Sequence, residues 1–220
     1  MTNLDAIEAE LGNWNKRLRI YPFDARNYIH RGMTYFKLGK IKESLKDYNK
    51  AEELNPQLTP YLWQRGLSYY YLGKYAQAAR QFEIDLSVNS LDVEETIWYY
   101  LCIARLENDQ EAKKSLLPVK YDPRPIMRQI YQLFAGNCSV ETLIELANKG
   151  DIRDLLYSNL YAGLYYEAQK DEQKSTLYLN EAVTYEINDY MWYLARIHQQ
   201  LRLLEAAKIN LTLRNQHPKV

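Results

Sequence analysis

Glycine and proline are scarce in this chain of 220 residues, numbering 8 and 7 against 21 tyrosines. A chain poor in both and rich in aromatics has enough apolar surface to order itself, which excludes collagen-like, low-complexity and disordered classes. Cysteine is limited to Cys102 and Cys138, in separate segments. Two such thiols make neither a disulfide framework nor a metal-binding spacing, and both read as buried thiols on helix faces. There is no surplus of charge, since Lys+Arg and Asp+Glu are each 28. A protein that grips nucleic acid through its phosphates carries a basic excess, so nucleic acid is not an expected partner. No run of about 18 apolar residues exists, so no membrane span is expected. Residues 1–11 carry Asp5, Glu8 and Glu10 and no basic segment ahead of an apolar stretch. They do not form a secretory signal, and the expected location is the cytoplasm, as a soluble protein.

Chemistry-bearing constellations are also missing. His30, His198 and His217 stand far apart, none with a second ligand at helical spacing, so no metal is expected. No glycine-rich phosphate loop and no nucleophile elbow occurs. Glu52/Glu53 and Glu94/Glu95 read as solvated helix faces. Asn137 and Asn210 match the glycosylation pattern at chance level without a signal. No cofactor, no active site and no catalytic activity are expected.

What is present is a period. Gly32 and Gly66 lie 34 residues apart, and at the same interval Tyr28 answers to Leu62, Tyr35 to Tyr69, Gly39 to Gly73, Ser44 to Ala78, Tyr48 to Phe82 and Pro22 to Pro56. Self-similarity at this length marks a helix–turn–helix repeat that buries its apolar face only by stacking on its neighbours. Gly32 and Gly66 fall where the two helices of a unit cross, and a side chain there would cost about 1–3 kcal/mol of overpacking. Gly39 and Gly73 fall in the turns, where a left-handed backbone costs glycine least.

The period divides the chain. Residues 1–24 form a capping helix, with Leu4, Ile7, Leu11, Trp14 and Leu18 on one stripe, Asn3 as N-cap and Pro22 at its end. Residues 25–58 and 59–92 are full repeats. Residues 93–117 are a degenerate third, keeping Ala112 but carrying Tyr100 where Gly66 stood. Pro118, Pro123 and Pro125 then break the pattern, and residues 118–150 read as an inserted helical hairpin. Its apolar residues Ile126, Ile130, Leu133, Leu143, Ile144 and Leu146 require burial. Residues 151–187 resume the repeat with Asn159, Gly163, Tyr166 and Ala182. Residues 188–220 are a fifth, degenerate unit with Met191, Ala195, His198 and Ala207, ending in a tail from His217 with little to order it. The fold class expected is all-α, a superhelical solenoid with one inserted hairpin.

The set Gly32/Tyr35/Gly39/Tyr48/Ala51/Pro56, with Gly66/Tyr69/Gly73/Ala78/Phe82, resembles the tetratricopeptide repeat (TPR) family. The run from Tyr131 to Leu143, with Leu160-Tyr-Ala-Gly-Leu-Tyr-Tyr166 and the broken repeat between them, is similar to the NlpI-like bacterial lipoproteins across roughly residues 25–200. These resemblances imply a right-handed α-α superhelix. They also imply a non-catalytic scaffold or adaptor, often a homodimer, that binds a protein or peptide partner on its concave face. The lipid-bearing cysteine of the lipoproteins has no counterpart, the first cysteine being Cys102, so envelope anchoring and its particular partners do not carry over.

In the TPR family the first helix of each unit lines the concave groove. That scheme assigns Arg26, Ile29, His30, Met33, Phe36 and Lys37 from the first repeat, and Trp63, Gln64, Leu67, Tyr70 and Tyr71 from the second. The third adds Ile97, Trp98, Leu101 and Arg105, and the later units Tyr161, Leu164, Trp192, Tyr193 and Arg196. Partner binding is expected chiefly from Arg26, His30, Met33, Trp63, Leu67, Tyr70, Tyr71, Trp98, Leu101, Arg105, Tyr161 and Trp192. Arg26, Arg65 or Arg105 would fix the polar ends. Aromatic residues and arginine dominate binding hot spots, yet aromatics at helical spacing are commonly core, so Trp63, Trp98 and Trp192 are read as groove or core. Ile29 and Met33 stand where a chaperone-tail clamp needs Lys and Asn, so no such clamp is expected. A self-associating structural protein without a peptide ligand is the alternative.

Overall fold

The computed structural model describes residues 3–90, 92–119 and 122–216, the side chains of 205–216 excepted. The tail from His217 and the side chain of Ala207 lie outside the described residues. Among the described residues the chain forms α1 (Asn3–Ile20), α2 (Ala25–Lys37), α3 (Ile41–Leu54), α4 (Trp63–Tyr71), α5 (Tyr75–Val88), α6 (Val93–Leu106) and α7 (Asp109–Ser115). It continues with α8 (Pro125–Phe134), α9 (Val140–Ala147), α10 (Ile152–Ala168), α11 (Glu172–Ala182) and α12 (Tyr190–Gln216). A 3₁₀ turn over Pro56–Tyr61 links α3 to α4.

Side-chain caps open α2, α6, α7, α9, α10 and α11, whereas α3, α4, α5 and α8 start without one. The carboxylates of Asp24, Asp92, Asp151 and Asp171 and the amide oxygen of Asn108 accept the free N–H groups of the turns they open. Ser139 does the same for α9. The first two units turn between their helices at Gly39 and Gly73, each at φ 71°. The corresponding place in the fourth unit is Lys170, which adopts φ 63° without being glycine. The repeat spacing predicts a tight turn there, but nothing in the residue type announces it.

Helices pair as α2–α3, α4–α5, α6–α7 and α10–α11, stacking into an all-α solenoid with α1 over the first pair. The crossing glycines are closed in: a Cβ on Gly66 would lie 2.6 Å from the Phe82 ring, and one on Gly163 2.6 Å from Leu179 Cγ. The α8–α9 hairpin is packed into the stack. Phe134 meets Tyr100 edge-on at 5.1 Å and Tyr165 at 5.5 Å, bridging the third and fourth units. Ile126, Ile130, Leu133 and Leu143 are buried there, while Ile144 and Leu146 are half-buried.

The last helix departs from the expected solenoid. Instead of extending the stack outward, α12 lies back across the inner face and touches the first two repeats. Arg196 donates to the carbonyl of Lys37 in α2 at 2.8 Å. The Tyr190 ring stacks on Phe36 and meets the edge of Trp63, each at 5.5 Å. Ahead of α12, Glu186 accepts a hydrogen bond from Asn3 at 2.6 Å, tying the two ends of the solenoid together.

Candidate interaction surface

The inner face is built on α2, α4, α6 and α10, and α12 fills its middle. Leu67, Tyr70, Trp98, Leu101 and Tyr161, expected to line an open groove, are at most 2 % exposed. The Tyr70 ring packs edge-on against Tyr71, Tyr75 and Trp98. Trp192 is 7 % exposed and donates its indole N–H to the carbonyl of Val183 at 3.0 Å. These six residues are packing in this structure, because the chain itself occupies the volume a ligand would take. Arg65 is also enclosed: it donates to Glu52 at 2.6 and 2.9 Å and to Gln81 at 2.7 Å, so it presents no free end to a partner.

The rest of the expected set remains accessible in two places. At the start of the groove Arg26 and His30 are exposed and Met33 and Trp63 half-buried. His30 lies flat on Trp14 of α1 at 4.6 Å and 8°, and the Arg17 guanidinium sits over the Trp14 ring at 6.0 Å from its centroid. The capping helix therefore supplies a ring that the groove scheme omits. At the far end Arg105 is exposed. It donates to Tyr75 at 2.7 Å and to Glu167 at 3.0 Å, over the Tyr75 ring at 5.0 Å. Tyr71 lies between, half-buried, with its hydroxyl 2.9 Å from His198 Nδ1.

Glu167 of α10 is the electrostatic centre of this arrangement. One oxygen takes Arg105 and, at 2.5 Å, Arg202; the other meets His198 Nε2 at 2.5 Å. Burial alone would raise the Glu167 carboxyl, but His198 and then Arg202 override it and hold it well below the usual carboxylate range. The carboxylate so held fastens α12 to α6 and α10. His198 is wholly buried, a partner that its sequence position did not reveal.

Among the described residues no group of three His, Cys, Asp or Glu side chains could hold a metal ion. Burial pushes the Cys102 thiol up, away from a reactive thiolate. Among the same residues no helix is long and apolar enough to cross a membrane.

Residues 25–58 match the family model of the tetratricopeptide repeat. A crystal structure of a tetratricopeptide repeat protein from Parabacteroides merdae aligns with a TM-score of 0.55 at 19 % identity, over 90 % of this chain and 78 % of that one. The likeness is one of fold. No curated protein matches the sequence, so the similarity to the NlpI-like lipoproteins rests on the quoted residues alone. The stacked helix pairs seen here share the fold of TPR units, which in general are interaction scaffolds rather than enzymes.

Proposed function

We propose that this chain is a non-catalytic scaffold that binds a protein partner, as a peptide or a helix, through the part of its TPR-like inner face that α12 leaves open. The observation that carries the reading is the exposure of Arg26 and His30 and the half-burial of Met33 on α2, together with the half-burial of Trp63 at the start of α4. An aromatic, a cation and a flexible thioether at one groove mouth offer the large contact area and polar handle typical of hot spots. Tyr71 and Arg105 extend the surface toward the far end. Leu67, Tyr70, Trp98, Leu101, Tyr161 and Trp192 act beneath it by fixing its shape.

The test is a pull-down from the native source with wild-type protein beside an Arg26→Ala/Trp63→Ala variant, read by mass spectrometry. A partner retained by the wild type and weakened about tenfold or more in a variant of unchanged circular dichroism is the expected result. Partners recovered equally by both would sink the groove-mouth reading.

Self-association as a homodimer is the second reading. It is favoured by Leu203 and Leu204, which are 61 % and 55 % exposed on α12 beyond its last contact with Glu167. Light scattering across a concentration series decides it: a strict monomer at every concentration removes the dimer.

A further inference from the structure

The arginines inside the first two repeats occupy one sequence position, Arg31 and Arg65 being 34 residues apart. Each neutralises the carboxylate at its own junction. Arg31 grips Asp47 through two bonds of 2.7 Å and reaches Asn15 of α1 at 3.0 Å. Arg65 spans from α4 to Glu52 of α3 and to Gln81 of α5. One period later the series breaks, because the next position is Tyr99.

The acids at that junction do not vanish with the arginine. Asp85 stands one period after Ala51, and both are wholly buried, so a carboxyl fills a slot that elsewhere holds a methyl. Glu95, on the facing helix α6, is 8 % exposed. Asp85 Oδ1 accepts from Gln81 at 2.6 Å, but Oδ2 has no hydrogen-bond partner, and neither has Glu95 Oε2. The charged groups around them are accounted for. On α4, Arg65 is already engaged by Glu52 and Gln81. On the α6 side, Asp92 caps the helix through the Glu95 N–H at 2.9 Å. Glu94 takes Arg124, ahead of α8, at 3.4 Å, and Arg124 is shared with Asp122 at 2.9 Å. Among the described residues no cation pairs with Asp85 or Glu95. An ionised carboxylate without a partner is costly to bury, whereas a protonated one is tolerated.

We propose that the junction between the second and third repeats holds protons in place of the missing arginine, Asp85 and Glu95 standing neutral while α5 and α6 are packed and the joint loosening when they ionise. Each ionisation releases one proton to solvent and leaves a buried carboxylate without a counter-ion. Burial raises the Asp85 carboxyl to about 7, with Gln81 and Arg65 opposing the rise. Burial raises Glu95 to about 8, and Asp92, Asp85 and Glu94 push in the same direction. Both values lie above those of free carboxyls, so between them and the free values the folded chain holds protons that the unfolded chain has lost. This contribution to stability therefore falls as pH rises through about 7 and 8. The joint responds near neutrality and does not depend on the proposed partner surface.

Infrared spectroscopy and thermal unfolding across pH test the inference on the full chain. The wild type is expected to show the carbonyl stretch of a protonated carboxylic acid near pH 6, reduced but not abolished in an Asp85→Asn/Glu95→Gln variant, because burial also raises the neighbouring Glu94 carboxyl to about 7. Its unfolding midpoint should fall by about 5 °C more than the variant's between about pH 5.5 and about pH 9. Tyr99→Arg, restoring the series, should flatten the wild-type slope. If the amide variant does not fold, Asp85→Ala, which copies the first repeat, carries the comparison. An absent acid carbonyl near pH 6, or a wild-type slope equal to that of the substituted chain, overturns the proposal.

Discussion

Glu167→Ala is expected to cost about 3–5 kcal/mol of folding free energy, the range for removing one member of a buried ion pair. The size follows from what the truncation strands. Glu167 is the shared acceptor for Arg105 at 3.0 Å and for Arg202 and His198 at 2.5 Å, and its side chain is only 11 % exposed. Without it the wholly buried His198 keeps only the Tyr71 hydroxyl, and the two guanidiniums lose their common anion. Glu167→Gln, which keeps an acceptor oxygen, should cost less. The pH sense is opposite to that of Asp85 and Glu95. Because the Glu167 carboxyl is held below its ordinary value of 4.5, its contribution is present above that value and lost as pH falls beneath it. Urea unfolding at neutral pH measures the cost, and a loss under about 1 kcal/mol would mean that packing alone holds α12 in place.

The second large effect contrasts two glycines. Gly66→Ala should destabilise by about 1–3 kcal/mol, because its Cβ would lie 2.6–2.9 Å from three atoms of the Phe82 ring. That ring is itself wholly buried, so it cannot swing aside without opening the α4–α5 pair. Gly12→Ala should instead stabilise by up to about 1 kcal/mol. Nothing lies within 4 Å of its Cβ position, and alanine is the better residue inside a helix. Gly32→Ala belongs between them, since its nearest neighbour is the tip of the Tyr48 ring at 3.1 Å. Calorimetry on the three variants gives the order, and equal midpoints for Gly66→Ala and Gly12→Ala would refute the close-crossing argument.

The repeats were legible because their constraints are local. A helix crossing needs a small residue at Gly66, a turn needs a left-handed residue at Gly73, and both recur at a spacing the eye can check. The hairpin could be read from Pro118, Pro123 and Pro125 and from apolar residues that had to be buried. The return of α12 could not. Its contacts join residues 127 and 159 positions apart, Tyr71 to His198 and Lys37 to Arg196, and a 34-residue period describes only neighbours in the stack. Trp192, Tyr193 and Arg196 do fall at inner-face positions, as the period requires. What it could not reveal is that the curvature is tight enough for one inner face to meet another. Lys170 was hidden for a different reason: its turn needs a positive φ that lysine adopts under the constraint of the surrounding helices.

The placement of α12 has a consequence during synthesis. In an open solenoid each finished unit can pack on the one before it as the chain emerges. Here the inner aromatics of the first two repeats wait for a helix that is 127 residues further on. At about 5–20 residues per second, Tyr71 precedes His198 by roughly 6–25 s. For that interval Phe36, Trp63 and Tyr71 lack their α12 partners on a nascent chain, so an aromatic surface that the finished protein covers only in part stands wholly open to self-capture between neighbouring ribosomes.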